Sequence, residues 1–193
     1  MSSSGTTEPR RKPSPMMMVS IGIGVVVAVA LIAVVSALTG GRVTGGASPR
    51  STSALVGTKA ADFSLAGLHG GTVVAPYSHH HPTVLLFFAS WCPPCRGEVP
   101  RVSAYLRAHP PAGVSVVGVD SNDQSAAAIR FVARAGFPDP VAVDANGTVS
   151  SGDFGFATLP ETVFVSSSGV VRGVHFGAIS DAALARGIAA LAH

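Results

Sequence analysis

The sequence predicts one α/β domain, a sheet covered on both faces, preceded by a single N-terminal transmembrane helix. Three observations carry this. A stretch from Met16 to Leu38 contains no charged residue and is apolar apart from Ser20 and Ser36. Beyond residue 53, continuous β-branched and aromatic runs alternate with segments of helical composition. That remainder, residues 54–193, has the size of one ordinary domain.

The segments divide by charge. The 193-residue chain has a net charge of +3, which by itself resembles a nucleic-acid-binding signal. Five basic groups (Arg10, Arg11, Lys12, Arg42, Arg50) stand against Glu8 within residues 1–50, a local charge of +4; residues 51–193 hold eight basic and nine acidic groups, a charge of −1. The basicity belongs to the N-terminal segment, so nucleic acid is not an expected partner. Residues 1–15 read as a polar cytoplasmic tail. Residues 16–38, 23 in number, make a helix of about 35 Å, enough for a hydrocarbon core of about 30 Å. A core helix would carry a polar stripe, which this run lacks. A cleaved signal peptide would have a shorter apolar region and a better small-residue site than Ser36-Ala37-Leu38. Arg10-Arg11-Lys12 before the span and one arginine, Arg42, just after it predict a cytoplasmic N-terminus and a translocated C-terminal domain. Lys12-Pro13-Ser14 stands where a twin-arginine signal would turn apolar. Residues 39–53, rich in Gly, Ser and Thr, read as a flexible tether.

Within residues 54–193 the first strong strand is Thr83 to Ala89, a run suited to burial on both faces. Glu98 to Ala108 follows as a helix in which Pro100 predicts a kink. Val114 to Asp120 is a second buried strand. Ser125 to Ala135 is a helix with Ser125 as N-cap and Gly136 as its C-terminal stop. Short strands are expected at Val141–Val143, Thr162–Val165 and Val170–Phe176, and a last Ala- and Leu-rich helix after Ser180.

The chemistry lies in Trp91-Cys92-Pro93-Pro94-Cys95, which holds the only two cysteines of the chain. They are spaced to form a disulfide with each other. So short a loop constrains the unfolded chain little, which argues against a structural staple. A zinc site needs about four ligands, and no paired histidines follow at finger spacing. His79-His80-His81 can chelate a metal but reads better as a polar loop rim, so no metal is expected. Placed between a buried strand and a helix start, Cys92 can face unpaired N–H groups and the positive end of the helix dipole, which favours its thiolate and makes it the attacking nucleophile. Cys95, one turn further, is expected to be more buried and to resolve the mixed disulfide. Pro93 and Pro94 restrict the loop and remove donors. Trp91 is expected to cover the disulfide, and Phe87 and Phe88 to be core.

The segment Phe87-Phe88-Ala89-Ser90-Trp91-Cys92-Pro93-Pro94-Cys95-Arg96-Gly97-Glu98-Val99-Pro100 resembles the active-site segment of the membrane-anchored thioredoxin-like TlpA, ResA and CcmG (DsbE) proteins. Asp62-Phe63-Ser64-Leu65 with Gly70-Gly71 resembles the opening hairpin of that family. Val143-Asp144-Ala145-Asn146-Gly147, Leu159-Pro160-Glu161-Thr162 and Gly169-Val170-Val171 keep its order of blocks, so the resemblance spans about residues 60–177. It implies a thioredoxin fold with a central mixed sheet flanked by helices, and a thiol-disulfide oxidoreductase with no cofactor beyond a redox-active Cys92–Cys95 disulfide. It implies that Pro160 is a cis-proline beside that disulfide, exposing the Leu159 backbone to an extended substrate. It implies that Glu98 is an acid near the thiols, able to exchange the resolving thiol's proton, the alternative being a helix-surface charge. Glu161 is implied to tune the pocket or groove, the alternative being a solvent-facing strand residue.

Thioredoxins proper often hold an acid on the strand before the motif; Leu85 to Ala89 has none, which moves proton handling to Glu98. Asp62, Asp120 and Asp144 read as structural at strand or loop ends, and His109 and His175 have no neighbouring motif. The reducing direction is favoured by the resemblance. The implied partners are exported proteins with disulfides, apocytochrome c among them, and a membrane thiol-reductant transporter resembling CcdA or DsbD. The implied place is the outer face of the cytoplasmic membrane. The same fold run in reverse, as a disulfide-forming oxidase, and a copper-binding module are the alternatives.

Overall fold

A computed structural model of the chain describes residues 54–138 and 140–191. The tail, predicted anchor and tether, residues 1–53, lie outside the described residues; among the described residues no helix is long and apolar enough to cross a membrane.

A small antiparallel hairpin of β1 (Ser64–Ala66) and β2 (Thr72–Val74) opens the domain, where the resemblance placed one. Then follow β3 (Thr83–Phe88), α1 (Pro93–Ala108), β4 (Ser115–Ser121), α2 (Ser125–Ala135), β5 (Val141–Asp144), β6 (Glu161–Val165), β7 (Val171–Phe176) and α3 (Asp181–Ala189). The five-stranded sheet has the order β5-β4-β3-β6-β7. β4 runs parallel to β3 and β5, whereas β6 is antiparallel to β3 and β7, so the sheet is mixed.

β3 is buried along its whole length, as its uninterrupted apolar run requires. Val84, Leu86 and Phe88 point to one face and pack with Val99, Val102 and Leu106 of α1, Phe131 and Val132 of α2 and Leu184 of α3. The sheet is covered on both faces as expected, but this helical layer lies on one face. The crossovers β3-α1-β4 and β4-α2-β5 step in the same direction across the sheet, and right-handed crossovers in one direction leave both helices on one side. The other face, bearing Leu85, Phe87, Val117, Val119 and Val163, is covered by Phe63, Tyr77, Val149, Phe154 and Phe156. Phe87 meets Phe154 and Phe156 at centroid separations of 5.1 and 5.0 Å.

Two local expectations change. The first helix begins at Pro93 rather than Glu98, because Cys92 is its N-cap and two prolines suit the first two helical positions, whose N–H groups have no intrahelical partner. It continues through Pro100 to Ala108 as one helix. The second starts at Ser125, but its cap is Gln124, without a side-chain cap, and Asp123 Oδ1 instead accepts from Gln124 N at 2.7 Å. Gly136 does close that helix in the left-handed region, at φ 60°. Close packing requires a glycine in α3, where a Cβ on Gly187 would lie 2.2 Å from the Phe164 ring.

Candidate active site

The C-terminal end of β3, the central strand, delivers the redox motif to one end of the sheet. Cys92 N donates to Ala89 O and turns the chain into α1. Pro93 and Pro94 have no N–H, so Cys95 N is the first helical donor, and it points at Cys92 Sγ at 3.3 Å. One N–H and the positive helix end therefore converge on the sulfur of Cys92. Cys92 and Cys95 are joined as a disulfide. Both are buried in this oxidised form, Cys92 at 2% exposure and Cys95 at 0%, in the order the sequence leads one to expect.

Trp91 is 53% exposed, and its indole N–H donates to Asn122 O at 2.9 Å. With Ser121, Asn122, Ser151, Phe156 and Leu159 it lines a cleft of about 90 Å³ beside the motif. Leu159 sits on that cleft, and the Leu159–Pro160 bond is cis, as the resemblance implied. Pro160 is buried, and its carbonyl accepts from Gly177 N.

Glu98 is not a surface charge. It is 3% exposed on the inner side of α1, and its Oε1 accepts from Ile179 N at 2.7 Å. Burial pushes its carboxyl above the usual range, opposed by that hydrogen bond and by Arg101. Glu161 is not a solvent-facing strand residue either. It is 1% exposed between β3 and β7; Oε1 accepts from Thr158 Oγ1 at 3.1 Å, and Oε2 has no partner. Burial, assisted by the charge of Glu98, pushes its carboxyl up to about 7. Two buried carboxyls with raised proton affinity therefore stand in the domain, one on α1 three residues past Cys95 and one following Pro160.

Asp144 is structural as expected: its carboxylate accepts from Val149 N, Ser150 N and Ser150 Oγ. Asp120 behaves differently from the structural reading. It is fully buried with no hydrogen-bond donor on either oxygen, and burial together with Asp123 and Asp144 pushes it up to about 8. Ser90, Arg96 and Asp123 were also not singled out. Asp123 accepts from Ser90 N and Ser90 Oγ, and Arg96 Nε donates to Ser90 O at 3.0 Å. The available signal was an aspartate closing a run of valines, where a buried strand offers it no water.

The model of the AhpC/TSA family matches residues 56–174. The thiol-disulfide oxidoreductase ResA of Halalkalibacterium halodurans is 26% identical over 151 residues, covering 78% of this chain and 85% of that protein. The thiol:disulfide interchange protein DsbE homolog of Paracoccus denitrificans is 35% identical over 128 residues, 65% of this chain and 68% of that one. Among solved structures, MTB dsbF in its mixed oxidized and reduced forms superposes with a TM-score of 0.59 at 35% identity, over 67% of this chain and 94% of that one. A secreted Mycobacterium tuberculosis disulfide oxidoreductase homologous to E. coli DsbE superposes with a TM-score of 0.59 at 26% identity, over 67% and 96%. A dithiol pair capping a helix beside a cis-proline, on a fold and a sequence shared with these enzymes, leads to one assignment: the chain belongs to the AhpC/TSA family and is a thioredoxin-like thiol-disulfide oxidoreductase of the ResA/DsbE type.

Proposed function

We propose that the chain is a membrane-tethered reductant of disulfides in exported proteins, acting outside the cytoplasmic membrane through Cys92 and Cys95. The observation that supports the chemistry best is the convergence of the Cys95 N–H and the α1 dipole on Cys92 Sγ; two buried carboxyls, on α1 and β6, supply candidate proton acceptors. In the reduced enzyme the Cys92 thiolate attacks one sulfur of the substrate disulfide. A mixed disulfide forms and the other substrate sulfur leaves as a thiolate. Glu98, with Glu161 as a second acceptor, takes the proton of Cys95, whose thiolate attacks Cys92 Sγ and releases the substrate's remaining sulfur. The substrate gains two electrons, and the enzyme is left as the Cys92–Cys95 disulfide. Trp91 and the Leu159–Pro160 segment flank the substrate's path to Cys92. Pro93 and Pro94 limit the donors to the thiolate and so bear on its potential.

The anchor at residues 16–38 and the charge asymmetry around it support the address, with the N-terminus inside. The resemblance to the TlpA, ResA and CcmG proteins supports the reducing direction, apocytochrome c as substrate, and a CcdA- or DsbD-like transporter as electron donor. Trapping tests the reading. Cys95→Ser leaves Cys92 in a mixed disulfide whose substrate is read by mass, while Cys92→Ser traps nothing. Equilibration with glutathione tests the direction: a disulfide that resists reduction marks a reductant, and a readily reduced one marks an oxidase and overturns the proposal.

A further inference from the structure

The segment that carries Cys92 is tied to a second loop by contacts that converge on one aspartate. Ser90 N and Ser90 Oγ both donate to Asp123, the latter at 2.9 Å. Gln124 N donates to the same carboxylate, at the positive end of α2. Trp91 Nε1 donates to Asn122 O in the same loop. Three donors and a helix N-terminus therefore converge on the Asp123 carboxyl.

Asp120 stands three residues earlier in the chain. It is the penultimate residue of β4, opposite Phe88 of β3 and Val143 of β5, is fully buried, and receives no hydrogen bond on either oxygen. A carboxylate can only accept, so an ionised Asp120 would leave both oxygens orphaned in apolar surroundings. A protonated Asp120 has a donor, and its hydrogen-bond partner is Asp123. The charged groups acting on Asp120 are Asp123 from the following loop and Asp144 from β5, both acidic; α2 has no acid in its first turn, and Arg96 of α1 is engaged with Ser90 O. Every neighbour that acts on it opposes a second negative charge.

We propose that Asp120 is a positioning residue for the attacking cysteine: its proton bridges it to Asp123, which tethers Ser90, and loss of that proton sets two carboxylates against each other and loosens the segment leading to Cys92. Asp120 touches no reacting atom and acts through Asp123 and Ser90.

The inference rests on Cys92 as the attacking thiol, and the test keeps the two apart. In the oxidised full-length protein neither cysteine titrates, so the ¹⁵N-labelled Ser90 amide reports on the tether alone. Its resonance is expected to shift with a midpoint near pH 8, and Asp120→Asn is expected to lose that transition. No transition between pH 6 and 10 in the wild type overturns the inference, whatever the variants do, and so does a transition that survives in Asp120→Asn. In the reduced protein, the rate of iodoacetamide alkylation at Cys92 should depart from a single-ionisation curve in the wild type and follow one in Asp120→Asn. The two proteins should agree at pH 6 within about two-fold, a difference below 0.5 kcal/mol. Superimposable profiles across the range overturn the positioning role. Label found by mass first on Cys95 would instead overturn the assignment of the attacking thiol, leaving the Asp120 result readable from the Ser90 amide.

Discussion

Replacing Glu161 by glutamine should make the protein more stable at neutral pH and above, although it removes a buried charged residue from the site. Glu161 ordinarily loses its proton near pH 4.5 and in the folded protein near pH 7. The folded state thus binds this proton more tightly than the unfolded chain, so protonation favours folding. That contribution is complete below pH 4.5, is lost as the pH rises through the interval to 7, and is gone above it. At about 1.4 kcal/mol per pH unit of separation, the full loss is about 3 kcal/mol. Glutamine keeps the shape and the acceptor for Thr158 Oγ1 but has no proton to lose, so any packing cost it brings does not vary with pH. Urea unfolding of oxidised wild type and Glu161→Gln, followed by circular dichroism between pH 4 and 8.5, reads the difference. The variant should gain relative to the wild type by an amount that grows from pH 4.5 and levels off above 7 at about 3 kcal/mol. Asp120 is present in both proteins and does not act on Glu161, so its titration cancels in the difference; Glu98 is coupled to Glu161 through its charge, and that coupling is part of the difference. A flat difference, or a wild type that gains on the variant as the pH rises, would refute the reasoning.

Two further outcomes are expected. Gly187→Ala should destabilise the domain by about 1–2 kcal/mol: alanine gains up to about 1 kcal/mol of helix propensity, but overpacking costs about 1–3 kcal/mol, and the new Cβ would sit 2.2 Å from a buried phenylalanine ring. Urea midpoints measure this, and a stabilised variant would count against the packing of Phe164 on α3. Glu98→Gln should slow the resolving step on the order of 10²-fold, within the range of general-base catalysis, while leaving formation of the mixed disulfide near its wild-type rate. Rapid-quench kinetics with a peptide disulfide separate the two steps, and an unchanged resolving rate would remove Glu98 from proton transfer.

The strands and helices from Thr83 onward were legible because their apolar patterning is local and strong; Ser125–Ala135 and the Gly136 stop emerge as expected. The motif was legible because two cysteines at this spacing are the only ones in the chain. The start of α1 was misjudged, since Pro93 and Pro94 look like helix breakers until Cys92 is recognised as the cap that makes them the first two helical residues. Ser125 looked like the cap of α2, but it is the first helical residue and Gln124 is the cap, its own N–H bonded to Asp123 Oδ1. The side of the sheet that each helix covers was not legible, because it depends on strand order, which no local pattern records.

From the chain of residues alone come the chemistry and its neighbourhood: a dithiol between a buried strand and a helix start, two prolines within its loop, and a split of charge that separates an apolar N-terminal span from a nearly neutral domain. Such features depend on residues adjacent in sequence. The state of the carboxyls required the packed fold. In sequence Glu98 and Glu161 read as site acids or as surface charges and Asp120 as a structural acid, and each is stripped of water by elements from elsewhere in the chain, as Glu98 is under Ile179, 81 residues away. Desolvation is set by what packs against a group in space, so the raised proton affinity of these carboxyls became visible only when the distant segments were brought together.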